Sequence, residues 1–236
     1  MTDLRDSEDP VSLLRMWDVP RHLIDDFERL RDSALNASLV PMSIIHLGLA
    51  FAYSNRGMND AAVLHGNSAL KAGLTRPQAV EGILAGVLSR GMGMLSANIW
   101  IAKEAPAGDW PDRAPTEDMD TEAILAYFSS HFGEVPGWLD MLSSTSPPTL
   151  DAYFNLRSPV LQDGALLRKH KELLFVIVNA VERYEVAMRI HMQGAIDAGA
   201  SREELLEAMR AAIVGGGLVA WVAAAETAAP ILKSLE

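Results

Sequence analysis

The sequence predicts an all-α protein built as a tandem duplication of one helical module, with the two modules packed as a pseudo-dimer. Apolar residues recur at the spacing of helices, and alternating β-branched runs are scarce. Two matched capping boxes mark helix starts. The chain also aligns with itself without gaps after a shift of 126 residues.

The duplication is indicated by residue types that seldom match by chance. His65 aligns with His191, and Glu81 aligns with Glu207. The same register also matches these pairs: Phe27 and Tyr153, Arg31 and Arg157, Gly73 and Gly199, Arg76 and Arg202, Gly91 and Gly217. A single register that matches His, Gly, Arg and Glu together indicates two copies of one helical unit.

Each copy carries the same helix boundary signals. The capping boxes are Thr75–Gln78 and Ser201–Glu204, with a hydroxyl side chain at the N-cap and Gln or Glu three residues later. Gly73 and Gly199 precede them and suit the end of the previous helix. Both copies therefore contain a helix, a glycine stop, a short turn and a capped helix.

One turn is visible only in the first copy. Ser54–Asp60 is rich in turn-forming residues, whereas its counterpart in the second copy contains no Gly or Pro. The alignment therefore predicts that a helix ends near Val181 and that the next begins near Tyr184.

The boundaries follow from this register and from the Pro-rich segment that separates the copies. Ala105–Pro115 is predicted to be an exposed linker, and a helix is expected over residues 121–131. The predicted divisions are a tail and lead-in helix at 1–26, a first repeat at 27–103, a linker and helix at 104–131, and a second repeat at 132–236.

Composition excludes several classes of protein. The 236 residues carry a net charge of −11, which argues against nucleic-acid binding and against association with an anionic membrane. The chain contains no cysteine, so thiol catalysis and disulfides are excluded. The first ten residues are acidic and polar, and no secretory signal is visible. We expect a cytoplasmic protein.

The predicted hairpin of the second copy places a carboxylate beside an imidazole. Glu172 lies about ten residues before the turn and His191 about nine residues after it. Antiparallel helices pack about 8–10 Å apart, so residues at equal distance from the turn can face each other. Such a pair is a usual general acid/base. A histidine on a helix is more often structural, but its recurrence in both copies weakens that interpretation.

The residues around this pair resemble the carboxymuconolactone decarboxylase and alkyl hydroperoxidase D-like (AhpD-like) family. The resemblance rests on 168–174 (RKHKELL), on 183–185 (RYE), on His191 and on the small residues Ala195 and Gly199. It covers about residues 27–94 and 132–230.

The resemblance assigns roles to individual positions. Glu172 and His191 fall on the family's Glu and His, so it implies that they are catalytic. Tyr184 and Ala187 stand at the two cysteine positions, so it implies the cysteine-free branch rather than a thiol peroxidase. In the first copy, His65 matches the His and His46 replaces the Glu, which makes the second copy the competent half.

The resemblance also implies a substrate class and an assembly. It predicts a decarboxylase-like lyase acting on a small organic acid or lactone, with no cofactor and no metal. It implies a homo-oligomer, with a trimer favoured. The residues assigned to substrate binding are Tyr184, Arg168, Glu185, His65 and His46.

Other functions stay open at this point. The same pair could serve an isomerase or a hydrolase on another small substrate, or the chain could be a binding module without chemistry. A reductase that uses an external thiol protein is disfavoured by the absence of cysteine. Arg168, Lys169 and Lys171 form a basic cluster that could steer a carboxylate substrate.

Overall fold

The computed structural model describes residues 14–112 and 116–233, so the first 13 residues of the predicted tail and lead-in helix at 1–26 lie outside them. Within these residues it contains only helices, which confirms the predicted all-α class. Twelve helices lie wholly within the described ranges. They are α1 (Arg21–Leu35), α2 (Met42–Asn55), α3 (Asn59–Lys71), α4 (Arg76–Arg90), α5 (Met92–Glu104), α6 (Thr121–Phe132), α7 (Gly137–Thr145), α8 (Pro147–Leu161), α9 (Arg168–Glu182), α10 (Glu185–Asp197), α11 (Arg202–Gly216) and α12 (Leu218–Lys233).

The helix boundaries follow the register of the sequence alignment. Helices α1 to α5 begin at residues 21, 42, 59, 76 and 92, and α8 to α12 begin at 147, 168, 185, 202 and 218, each 126 residues later. Helices α6 and α7 lie between the two sets and pack on α8. They form a small separate apolar cluster with Ile124, Leu139, Leu150 and Phe154 at its centre.

Helices α2 and α9 form the centre of the main core. Most of their residues are buried, because each helix is surrounded by neighbours from both halves. The two helices approach closely at Gly48, where a Cβ atom would lie 3.0 Å from the Cδ1 atom of Ile177. The core therefore joins the two halves, and neither half buries its central helix alone.

Two buried carboxylates interlock the halves. Glu81 on α4 accepts hydrogen bonds from the backbone N–H groups of residues 165 and 166, which lead into α9. Glu207 on α11 accepts them from residues 38–40, which lead into α2. Each half thus satisfies the N–H groups that precede the central helix of the other half.

Lys171 is part of this interlock, and its predicted role in steering a substrate was wrong. Its side chain is 0% exposed, and its Nζ atom lies 2.9 Å from Oε2 of Glu81. The ammonium also donates hydrogen bonds to the carbonyl oxygens of Val160 and Gln162. A buried charge needs such partners, so this lysine stabilises the junction and does not face solvent.

The helix boundary signals were predicted correctly. Both capping boxes form, with the Gln78 side chain on Thr75 N–H and the Glu204 side chain on Ser201 N–H. Gly73 and Gly199 have φ values of 89° and 84°, a backbone conformation that favours glycine.

The turn without glycine is also present where it was predicted. Helix α9 ends at Glu182 and α10 begins at Glu185. Arg183 takes a φ of 58° at the position where the first copy has Gly57, with a φ of 73°. The second copy therefore makes the same left-handed turn with a residue that gives no glycine signal.

The described part of the chain contains no helix that is both long enough and apolar enough to cross a bilayer.

Candidate functional site

The α9–α10 hairpin brings Glu172 and His191 together. The Nδ1 atom of His191 lies 2.7 Å from Oε2 of Glu172. Because an ionised carboxylate only accepts hydrogen bonds, Nδ1 carries the hydrogen atom and donates a hydrogen bond to Glu172. This arrangement leaves Nε2 as the ring nitrogen that can exchange a proton with another molecule.

The pair is held in a narrow, partly apolar setting. The Glu172 side chain is 4% exposed and the His191 side chain 15% exposed. The ring of Phe175 lies 4.7 Å from the imidazole, centroid to centroid. Gly194 faces the carboxylate, because a Cβ atom there would lie 2.8 Å from Cδ of Glu172. The absence of a side chain at residue 194 therefore makes room for the glutamate.

One cation of the basic cluster reaches the pair. The Nε atom of Arg168 lies 3.7 Å from Oε1 of Glu172, and the arginine side chain is 45% exposed. Lys169 instead pairs with Glu204, at 2.8 Å between Nζ and Oε1. Arg168 is therefore the member of the cluster placed to meet an anion near the pair.

The corresponding place in the first half holds two imidazoles. The Nδ1 atoms of His46 and His65 lie 3.0 Å apart. Tyr53 stacks on His65 with ring centroids 5.4 Å apart, and its hydroxyl donates a hydrogen bond to the carbonyl oxygen of Val214 on α11. The first half thus retains a polar pair, but without a carboxylate.

Both imidazoles of this pair favour the neutral form. Burial lowers the pKa of His46 to about 4. Burial also lowers the pKa of His65, and the charges of His46 and Arg31 lower it further, to about 3. Desolvation disfavours the charged form of a base, so the pair is uncharged at neutral pH.

A cavity of about 550 Å³ opens at the two histidines. Its walls are mainly apolar, and they come from helices α1, α2, α3 and α11. The lining residues are Phe27, Leu30, Arg31, Ala34, Leu35, His46, Tyr53, Ala61, Leu64, His65, Ser68, Lys71, Ile213 and Val214. Neither Glu172 nor His191 lines it. The sequence grouped His46 and His65 with the catalytic pair, whereas the structure places them in a cavity of their own.

Sequence reasoning missed several residues around the two pairs. Tyr53, Lys71 and Gly194 gave no signal, because none of them is identical between the copies: their partners in the alignment are Asn179, Asp197 and Ser68. A comparison of the two copies for positions that differ close to the histidines could have identified these three residues.

The second half of the chain matches a known family. Residues 147–230 match the family model described as the carboxymuconolactone decarboxylase family. This stretch of the second half is therefore similar to that family. The matched stretch begins with α8 and contains Glu172 and His191. The predicted resemblance to this family is therefore confirmed for these residues.

A solved structure from Burkholderia xenovorans LB400 shares the fold of the whole chain. It carries the provisional name of a gamma-carboxymuconolactone decarboxylase subunit. The match has a TM-score of 0.60, covers 98% of this chain and 94% of the other, and has 20% sequence identity. A comparison with curated proteins gave no match.

Two residues that the resemblance to the carboxymuconolactone decarboxylase family assigned to the substrate lie at the start of α10. Tyr184 is the N-cap residue of α10 and is 53% exposed, and Glu185 is its first residue. Within the described ranges, neither makes a hydrogen bond, ion pair or ring contact with Glu172 or His191. Their role in binding a substrate stays a prediction.

The described residues contain no group of three or more His, Cys, Asp or Glu side chains that could hold a metal ion.

Proposed function

We propose that this carboxymuconolactone decarboxylase-like protein is a general acid/base lyase that acts on a small organic acid or lactone through Glu172 and His191. The observation that carries the proposal is the 2.7 Å contact between a buried carboxylate and a partly exposed imidazole. An oriented His–carboxylate pair is a recurrent arrangement for moving protons in enzymes.

The proposed reaction is the decarboxylation of an anionic lactone. The bond between the carboxylate carbon and the ring breaks, CO2 leaves, and the electron pair stays on the substrate as a delocalised carbanion. Protonated His191 then gives its Nε2 proton to that carbon. Glu172 holds Nδ1–H and lies where it can balance the charge of the imidazolium.

The surroundings of the pair support an anionic substrate. Arg168 lies at the edge of the site and is half-exposed, so its guanidinium can meet a carboxylate that approaches from solvent. Phe175 covers the imidazole ring and excludes water from one face. Partial exclusion of water favours loss of a charged carboxylate as neutral CO2.

The test is a direct assay of turnover with 4-carboxymuconolactone. We expect Glu172→Gln and His191→Gln each to reduce kcat/KM by about 10²–10⁴, the usual contribution of a general acid/base. The matched controls are Glu203→Gln and His22→Gln, which change exposed residues on α11 and α1 and should retain turnover. Circular dichroism and thermal melting would establish that all four variants are folded.

The possible outcomes distinguish an error in the proposed substrate from an error in the proposed catalytic residues. Full turnover in His191→Gln would remove this residue from the mechanism. If the wild type does not decarboxylate the lactone, the same variants are assayed on other small acids and lactones for isomerisation and hydrolysis. Absence of turnover on every member of that panel would favour a binding module without chemistry.

We also propose that the protein forms a homo-oligomer, for which a trimer is favoured by the resemblance. Helices α10 and α12 pack together and expose apolar side chains, which is unusual on the surface of a monomer. These side chains are Val186, Ile190, Leu218, Val219 and Val222. Light scattering after gel filtration would give the mass, and a mass of 25.6 kDa would contradict the proposal.

A further inference from the structure

We propose that the cavity of the first half is a separate binding site for a small aromatic or alicyclic monocarboxylate. The proposal does not rest on the chemistry of Glu172 and His191, because neither residue lines the cavity. It rests on the charges, the polar atoms and the apolar walls of the cavity.

The charges at the cavity favour an anion. Arg31 and Lys71 both line it, and no Asp or Glu stands among its described lining residues. The chain as a whole has a net charge of −11, so this local excess of positive charge opposes the overall field. A carboxylate ligand would meet Lys71 and Arg31, and the Asp32 carboxylate that lies 3.2 Å from the Nε atom of Arg31 stands outside the lining.

The histidine pair offers complementary hydrogen-bonding atoms. In the neutral pair one Nδ1 donates to the other, so the donor ring keeps a bare Nε2 and the acceptor ring carries Nε2–H. His46 and His65 therefore supply one acceptor and one donor in addition to their mutual bond. A ligand hydroxyl or carbonyl group can use either atom, while the charged end of the ligand meets Arg31 and Lys71.

The walls and the size favour a ring. Apart from the polar groups, the lining consists of aliphatic and aromatic side chains such as Leu35, Leu64 and Ile213. A volume of about 550 Å³ is typical of pockets that hold small organic molecules. A ligand with one charged end and an apolar ring matches this distribution better than a polar metabolite with charges at both ends.

The aligned positions of the second half show that the two sites differ in chemistry. Lys71 aligns with Asp197, Tyr53 with Asn179, and His46 with Glu172. The first site therefore has more positive charge, and it has a tyrosine hydroxyl where the second half has an amide side chain. These differences favour a different ligand rather than a second copy of the same site.

The cavity also spans the two halves. Ile213 and Val214 on α11 belong to the second half, and Tyr53 bonds to the Val214 carbonyl oxygen at 2.9 Å. A bound ligand would contact both halves at once. It should therefore raise the melting temperature of the whole chain, because ligands that bind the native state stabilise it.

The test is calorimetric titration of the full chain with benzoate and with benzyl alcohol, its uncharged analogue. Ala61 lines the cavity, and Ala61→Phe should fill it. Its matched control is Ala187→Phe at the aligned position of the second half. A double variant, Arg31→Gln with Lys71→Gln, removes the two charges while retaining the cavity.

We expect benzoate to bind the wild type and Ala187→Phe alike, and Ala61→Phe to lose detectable binding. The double charge variant should bind benzoate about tenfold or more weakly, because hydrogen bonds to charged groups contribute strongly. Benzyl alcohol binding as tightly as benzoate would overturn the anion specificity. Absence of benzoate binding to the wild type would overturn the site. Benzoate binding that survives in Ala61→Phe would overturn it as well, and light scattering checks that this variant keeps the mass of the wild type.

Discussion

His46 and His65 are joined Nδ1 to Nδ1 at 3.0 Å, at the positions that align with Glu172 and His191. The same helix hairpin thus carries a neutral imidazole pair in one half and a carboxylate–imidazole pair in the other. Only the second pair can keep a proton on one ring nitrogen by means of a fixed negative charge. We infer that the hairpin is a scaffold whose chemistry changes with the residue at this position of its first helix.

The imidazole pair predicts a pH-dependent stability. The pKa values of about 4 and about 3 lie below the ordinary value of 6.5, so between pH 6.5 and about 4 the unfolded chain binds more protons than the folded chain. The free energy of unfolding should therefore fall as the pH falls through this window. The upper limit is about 1.4 kcal/mol per pH unit for each imidazole. Urea unfolding at pH 7.0, 6.0 and 5.0 measures the slope.

The double variant His46→Asn with His65→Asn should reduce this slope, and His22→Asn on the exposed face of α1 should retain it. Burial lowers the pKa of His170 as well, so a smaller slope should remain in the double variant. An unchanged slope in the double variant would contradict the assigned neutral state of the pair.

A methyl group at residue 194 should disable the catalytic pair without unfolding the protein. In Gly194→Ala the new Cβ would lie 2.8 Å from Cδ of Glu172, so the glutamate side chain has to move away from His191. The fold should tolerate this, because the end of a side chain moves more easily than the backbone, and alanine favours a helix by about 1 kcal/mol. We expect turnover to fall at least tenfold with little change in the melting temperature.

The matched control for this prediction is Gly93→Ala. Gly93 lies within α5, and a Cβ there meets nothing within 4 Å. The Gly93→Ala variant should be more stable than the wild type, because alanine has the higher helix propensity, and it should retain full turnover. If Gly194→Ala also retains full turnover, the position of Glu172 is not critical and the proposed mechanism is weakened.

The sequence was sufficient for the helices and for the Glu172–His191 contact, because both follow from local signals and one alignment. Capping residues and glycines mark helix boundaries locally, and the turn at Arg183 could be inferred from Gly57 in the other copy. The cavity and the position of Lys171 could not be inferred in this way. The cavity depends on how α11 of the second half packs on the first half, and the position of Lys171 depends on its contact with Glu81 on α4. No spacing within one helix indicates such contacts.

The interlock at Glu207 predicts a large loss of stability. Its carboxylate accepts hydrogen bonds from three consecutive backbone N–H groups and from the Ser38 hydroxyl. In Glu207→Gln the amide NH2 group would face some of these donors, leaving them without acceptors. Buried donors without partners cost about 1–3 kcal/mol each, so we expect a loss of about 2–4 kcal/mol. Exposed Glu203→Gln on the same helix should change stability by less than about 0.5 kcal/mol.

Acid should affect the same contact. Burial raises the pKa of Glu207, but the hydrogen bonds from residues 38–40 outweigh it, so that its pKa lies below the ordinary value of 4.5. This contribution to stability is present above the unfolded pKa and is lost as the pH falls through the folded pKa. Between pH 4.5 and 3 the wild type should therefore lose stability more steeply than Glu207→Gln. Equal slopes would show that the carboxylate is not ionised in the contact.

The two forms of the hairpin turn predict opposite effects of matched substitutions. Arg183 has a φ of 58°, and its side chain is exposed and makes no hydrogen bond with another described residue. A left-handed backbone costs a residue with a Cβ about 1–2 kcal/mol, whereas glycine in the unfolded chain costs about 0.5–1 kcal/mol of entropy. Arg183→Gly should therefore be neutral or stabilising by up to about 1 kcal/mol.

Gly57→Ala is the reverse change at the aligned turn. Gly57 has a φ of 73°, and a Cβ there would have no neighbour within 4 Å, so the effect is one of backbone conformation alone. We expect a loss of about 1 kcal/mol in urea unfolding, opposite in sign to the effect of Arg183→Gly. Destabilisation by both substitutions would show that the Arg183 side chain contributes to the native state beyond its backbone conformation. Such a result would direct attention to contacts of the α9–α10 turn with another copy of the chain.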